Sequence, residues 1–214
     1  MDAQRLSIRA RWARTILLFG WAIAVLTGLA LLTEFDTAPG AQGSPPRAWA
    51  GGGLARLDRN RPTLLMFAHP RCPCTRASIE ELEQIVAASP GAANVQVLFR
   101  TPAAGGGDWT QTALWEKAAA IPGVSISADQ NGDEAARFGV KTSGHVLLFA
   151  ADGRLLFSGG ITAARGHAGD NAGRSAVCAL ISGCSAAASG SAVFGCELFE
   201  PSRISTTGEA CPAE

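Results

Sequence analysis

His69-Pro70-Arg71-Cys72-Pro73-Cys74-Thr75-Arg76 joins an apolar run, Thr63–Ala68 (TLLMFA), to a helix-like run, Thr75–Ala88 (TRASIEELEQIVAA). The first run is short, continuous in apolar residues and ended by Pro70, which is how a buried strand reads. In the second, Ile79, Leu82 and Val86 fall on one helical face, with Glu80, Glu81 and Glu83 expected outward. Pro73 is tolerated near the helix start because a first-turn N–H is unpaired there anyway. The chain therefore delivers two sulfurs to a helix N-terminus, where free N–H groups and a partial positive charge favour a thiolate. Such a placement suits redox or soft-metal chemistry better than core packing.

The same alternation continues downstream. Residues 94–99 (NVQVLF) predict a second strand, 101–108 a Gly-rich loop, and 112–120 a helix ended by Pro122-Gly123. A short strand at 124–127 and a short helix at 133–138 follow. Residues 145–150 (HVLLFA) and 154–158 (RLLFS) flank Ala151-Asp152-Gly153, a hairpin signal, and Ala172–Ile181 is the last helix. This order implies an α/β fold with a central mixed sheet flanked by helices.

Formal net charge is zero, with only 17% charged residues, so nothing points to nucleic acid. Residues 15–32 carry no charge, and at 18 residues they reach the lower end of what spans a bilayer. Arg5, Arg9, Arg11 and Arg14 precede them, while Glu34 and Asp36 follow. The positive-inside rule puts residues 1–14 in the cytoplasm and the main domain outside. The apolar core is longer than that of a cleaved signal, and Thr37-Ala38-Pro39-Gly40-Ala41 is a poor cleavage site, so an uncleaved anchor is expected. In a bacterium this means a single-pass inner-membrane protein facing the periplasm. Six cysteines suit an exported chain. The resulting division is 1–14, an anchor at 15–32, a linker at 33–50 within which the Pro, Gly, Ala and Ser of residues 36–48 predict a flexible tether, a domain at 51–185, and a Cys-containing tail at 186–214.

A strand, a cysteine pair at a helix start, a βαβ crossover, a β-hairpin and a last helix resemble the thioredoxin fold. The run Asp133-Glu134-Ala135-Ala136-Arg137-Phe138-Gly139-Val140 resembles the segment before the cis-proline loop of such proteins. The resemblance covers roughly residues 60–185. Two departures stand out: Cys-Pro-Cys is one residue shorter than Cys-x-x-Cys, and Gly144 takes the place of the cis-proline, followed by His145. The pattern is closest to RedB-like membrane-anchored proteins and shares features with Sco-type copper proteins, which pair two cysteines with a distant histidine. It lacks the Thr/Ser-x-x-Cys pattern of peroxiredoxins.

The resemblance implies an exported thiol–disulfide oxidoreductase acting on protein thiols and disulfides, with no cofactor required. By that analogy Cys72 is the attacking thiol and Cys74 resolves. Arg71 and Arg76 are expected to hold the thiolate by charge, and His145 to face the pair as proton acceptor. A disulfide across one residue, stiffened by Pro73, is strained and therefore oxidising, so the pair is expected to act as oxidant or isomerase rather than strong reductant. The alternative is a copper-binding or copper-delivery protein using Cys72, Cys74 and His145; the scarcity of methionine, two in the chain, counts against it.

Other residues have two readings each. His69 either ends the strand or adds a third ligand. His167 and Arg165 lie in a polar loop and could reach a docked partner, and Asp170 or Asn171 can cap the last helix. Trp109 and Trp115, with Asp108, pack in the core or form a docking patch. Cys178 and Cys184 form a disulfide or stay free. Cys196 and Cys211 pair within the tail, or Cys196 is a third redox thiol near Cys72. Spacing leaves this open, since six cysteines have 15 full pairings.

Overall fold

A computed structural model describes residues 2–102 and 109–199. Asp108, Cys211 and the glycines at 105–107 lie outside the described residues. The elements, in chain order, are α1 (Asp2–Thr37), β1 (Thr63–Ala68), α2 (Thr75–Ala88), β2 (Asn94–Thr101), α3 (Ala113–Ala119) and β3 (Val124–Gln130). Then come α4 (Asp133–Arg137), β4 (His145–Phe149), β5 (Leu155–Gly159) and α5 (Ala172–Ile181).

The five strands form one sheet in the order β3-β2-β1-β4-β5. β1 pairs in parallel with β2 and antiparallel with β4; β3 joins β2 in parallel, and β5 joins β4 antiparallel. This is the expected thioredoxin-like fold. β1 is central and buried at every position, which is why its sequence is a continuous apolar run rather than an alternating one.

Strand alternation divides the core in two. Leu64, Met66, Val97, Phe99, Val146 and Leu148 face α2, α3 and α5. Leu65, Phe67, Leu98, Leu147 and Phe149 face α4, where Phe138 packs, and are closed over by Trp49 and Leu198. Truncating a fully buried ring such as Phe67 to Ala would cost about 3–5 kcal/mol.

α1 includes a stretch, Arg11–Thr37, long and apolar enough to cross a membrane; a signal sequence would pass the same test. Two sequence expectations are revised. Glu81 does not point outward: it is 1% exposed, with a carboxylate oxygen 2.7 Å from Arg174 of α5 and another accepting the Gly169 N–H. Its position on α2 is the one that α5 covers, so the charge is paired where it is buried. Nor is the linker free of the domain. Gly40 N–H donates to Val193 O, Ser44 N–H to Gly139 O and Trp49 N–H to Gly153 O, and Thr142 Oγ1 donates to Ala41 O at 2.6 Å.

Candidate active site

The turn between β1 and α2 sets the site. Cys72 N–H donates to His69 O, and Thr75 N–H donates to Cys72 O, which rolls the chain directly from strand into helix. Cys72 is 1% exposed, while Cys74 is half-buried. Opposite them, the loop before β4 is held by Gly144 N–H donating to Phe67 O at 2.8 Å. Ser143 Oγ accepts from His69 N–H at 2.8 Å and lies 2.6 Å from Thr75 Oγ1. No cis peptide bond occurs among the described residues. Gly144 instead has φ +86°, and a Cβ there would come 2.7 Å from Ser78 Oγ, so both backbone angle and space call for glycine.

Cys196 enters from the tail. Its Sγ is 2.8 Å from Cys72 Sγ, and the ligand atoms of Cys72, Cys74 and Cys196 all lie within 4.8 Å of one another. The five described cysteines are free thiols. Of the two sequence readings for Cys196, the geometry is that of the thiol near Cys72.

The three thiols differ in acidity. Burial opposes ionisation of Cys72, but donors outweigh it: the Cys196 thiol, the Thr75 side chain, and the N–H groups of Cys196 and Thr75 hold its pKa below the ordinary thiol value. Burial raises Cys74, and the neighbouring Cys72 charge raises it further, against a lowering by Arg165. Burial and the bond to Cys72 push Cys196 up to about 12. Cys72 is thus the most acidic of the three thiols and the first to ionise.

The charge near the cluster comes from Arg165, not from the expected Arg71 and Arg76. Arg165 Nη1 donates to Gly195 O at 2.6 Å, and its guanidinium lies 5.1 Å from the Phe35 ring centre. Arg76 is exposed, and Arg71 stacks on Trp109 at 4.3 Å. The sequence placed Arg165 in a polar loop within reach of a docked partner, and the chain's return past the site brings it to the thiols themselves.

His145 is not part of the three-sulfur group. It pairs with Phe67 across the strands and shares the face of Leu147 and Phe149, away from the face on which α2 packs. Its Nε2 lies 2.9 Å from Ser158 Oγ, its Nδ1 has no hydrogen-bond partner among the described residues, and burial lowers its pKa to about 4. His69 also stands outside the sulfur group: its Nδ1 accepts the Arg71 N–H, its ring meets Trp109 edge-on at 5.5 Å, and burial, then Arg100 and Arg71, lower its pKa. Trp115 packs against Phe99 with ring centres 5.1 Å apart, and His167 is exposed. Asn171 caps α5 by accepting the Arg174 N–H. Cys178 is half-buried and Cys184 exposed, unbonded to each other.

No protein-family model matches the chain, and no curated sequence matches it. Among solved structures it is similar to a hypothetical protein from Sinorhizobium meliloti, with 20% identity and TM-score 0.55 over 77% of this chain and 96% of that one. An uncharacterized conserved protein from Geobacillus kaustophilus gives 17% identity and TM-score 0.54 over 78% and 94%. The exposed lipoprotein thioredoxin of Streptococcus pneumoniae gives 15% identity and TM-score 0.42 over 65% and 99%. At these identities the likeness is one of fold.

Proposed function

We propose that the chain is a membrane-anchored thiol–disulfide oxidoreductase whose domain lies outside the cytoplasm and acts on protein thiols and disulfides. The observation that carries this reading is a buried cysteine with its pKa held down at a strand-to-helix turn, with two further thiols in reach. Burial alone would make Cys72 inert; interactions with Cys196 and Thr75 lower its pKa against that burial and favour the nucleophilic form.

The Cys72 thiolate attacks one sulfur of a client disulfide. A Cys72–client mixed disulfide forms, the client S–S bond breaks, and the departing client thiolate takes up a proton. Cys74 then loses its proton and attacks Cys72 Sγ, forming Cys72–Cys74 and releasing the second client thiol. Two electrons pass from the protein pair to the client, and the reverse sequence oxidises a client dithiol. Arg165 stabilises the Cys74 thiolate at the moment of attack.

Anchoring rests on α1. Its apolar stretch and the arginines before it support an inner-membrane anchor with the domain in the periplasm. Asp36 O at the end of α1 accepts the Arg165 N–H, tying the anchor's exit to the loop that flanks the thiols.

The test is trapping. Cys74→Ser/Cys196→Ser, with both neighbouring thiols removed, should accumulate a Cys72 mixed disulfide with a disulfide-bonded client protein, and Cys72→Ser should not. Equal behaviour of the two variants would remove the assignment of Cys72 as nucleophile.

A second reading, soft-metal binding, is favoured by the three sulfurs within 4.8 Å, a donor set that suits Cu(I). It uses Cys196 where the sequence reading had His145. Cu(I) titration distinguishes the two: Cys196→Ser should weaken binding and His145→Ala should leave it unchanged. The opposite order would restore the histidine.

A further inference from the structure

The tail segment around Cys196 lies as an added strand against the loop before β4. Ser143 N–H donates to Cys196 O at 2.8 Å, and Leu198 N–H donates to Lys141 O at 2.8 Å. Thr142 and Glu197 form the antiparallel bridge between the two segments. Leu198 and Val193 are buried at 1% and 0% exposure, as anchors on either side of the cysteine. Arg165 clamps the Gly195 carbonyl. Gly195 itself could carry no side chain, because a Cβ would lie 2.0 Å from Ser143 O. These are the contacts of strand addition: backbone bonds fix an extended peptide, and pockets hold alternate side chains.

We propose that the edge formed by residues 141–143 is the seat for an extended client peptide, that residues 195–198 are its resident occupant, and that Cys196 closes a reversible disulfide onto Cys72. The seat recognises backbone and a small residue before the cysteine, so the client class is an extended segment bearing Gly-Cys or a similar small-residue–Cys pair. Client and tail compete for one place, and the tail's release is the step that admits a client. This inference rests on the exchange reading above.

The redox step balances with a disulfide as oxidant. Cys72 thiolate attacks oxidised glutathione, expelling one glutathione thiolate, which is protonated. Cys196, losing its proton, attacks Cys72 Sγ and expels the second glutathione. Two protein thiols become the Cys72–Cys196 bond, and one glutathione disulfide becomes two thiols.

The experiment uses the full chain in detergent. Wild type, Cys74→Ala, Cys196→Ser and Gly195→Ala are oxidised with oxidised glutathione, and disulfide-linked peptides are located by fragment-ion mapping. In parallel, Cys72 alkylation by iodoacetamide is timed on the reduced proteins. Wild type and Cys74→Ala should both yield a Cys72–Cys196 link, and Gly195→Ala should lose it. Timed above the ordinary thiol pKa, where loss of the Cys196 donors no longer lowers the thiolate fraction, Cys72 alkylation should rise about tenfold in Gly195→Ala, the scale expected when two backbone hydrogen bonds are lost. In Cys196→Ser it should stay within about twofold of wild type, because the seat remains covered. A free peptide of sequence VFGCEL should slow alkylation again in Gly195→Ala. A reversible Cys72–Cys74 bond with no link to Cys196 overturns this inference and leaves the oxidoreductase standing. Link formation unaffected by Gly195→Ala overturns the seat. No reversible disulfide at Cys72 in any variant overturns both readings.

Discussion

Thr75→Val isolates what makes Cys72 a nucleophile. Two opposing influences act on that sulfur: burial, which favours the thiol, and four donors, which favour the thiolate and prevail. The Thr75 hydroxyl is the one donor that substitution can remove with little change of shape and with the backbone left in place. A hydrogen bond to a charged group contributes about 1.5–3 kcal/mol. The hydroxyl is shared with Ser143 Oγ at 2.6 Å, so the lower end applies, and at 1.36 kcal/mol per unit the Cys72 pKa should rise by about one. Below that pKa the thiolate fraction, and with it the alkylation rate, should fall about tenfold. The assay is iodoacetamide modification against pH, with Cys72 followed by peptide mapping so that Cys74 and Cys196 do not contribute. Stability follows the same linkage. A depressed thiol pKa stabilises the reduced fold above the ordinary thiol value, and that stability is lost as pH falls through the folded pKa. In Thr75→Val this loss should be smaller and complete at higher pH. Ser143→Ala provides the opposite sign, since it frees the Thr75 hydroxyl for the sulfur and should not raise the pKa. An unchanged alkylation profile in Thr75→Val, or a raised Cys72 pKa in Ser143→Ala, would refute the donor argument.

Other expectations are as direct. His145 stays neutral in the fold with a pKa near 4, against 6.5 for the free side chain; stability should therefore drop by about 3 kcal/mol as pH falls from 6.5 to 4. His145→Gln should flatten that slope in denaturant titrations, leaving the smaller part due to His69, and an identical slope would refute it. Gly144→Ala should cost about 1–2 kcal/mol for its backbone angle and about 1 kcal/mol more for the approach to Ser78 Oγ; adding Ser78→Ala should recover only the second part in thermal unfolding. Glu81→Ala should destabilise by about 3–5 kcal/mol, because Arg174 is left beside a buried gap, and a loss within the range of ordinary surface changes would show the pair to be incidental.

Much of the fold was legible because its signals are local. β1 is read from five apolar residues after Thr63, bounded by Pro70, and α2 from the spacing of Ile79 and Leu82; both match the observed bounds. Ends were less legible: β3 extends to Gln130 and β2 to Thr101, because polar residues at a strand end still pair along the backbone. Cys72 and Cys74 were legible for the same local reason. Glu81 was misread because helical periodicity shows which residues share a face but not which neighbour covers it. Residues 36–48 read as a tether by composition, and composition is silent about the single hydrogen bonds that lay such a segment along the domain.

Cys196 marks the limit of spacing. It lies 124 residues from Cys72 along the chain, and no local pattern encodes that contact. The tail's small residues do carry the information, though not as flexibility. A Cβ at Gly195 would strike the Ser143 carbonyl, and one at Gly190 would come 2.7 Å from the Ser158 carbonyl. Ser191 Oγ donates to Gly160 O at 2.6 Å, and Ser158 N–H donates to Ser189 O. A segment that must lie flat against a strand edge and a tight loop can hold only Gly, Ser and Ala where backbones approach. It can hold large apolar residues only where a cavity receives them, as at Val193 and Leu198. A Gly/Ser/Ala-rich tail interrupted by isolated apolar residues and a cysteine is therefore the composition of a docked strap, and it differs from a linker in that Val193 and Leu198 are buried in the domain. Replacing Val193 or Leu198 by Ser would test this distinction, since a linker would tolerate the change and a strap would release Cys196 from Cys72.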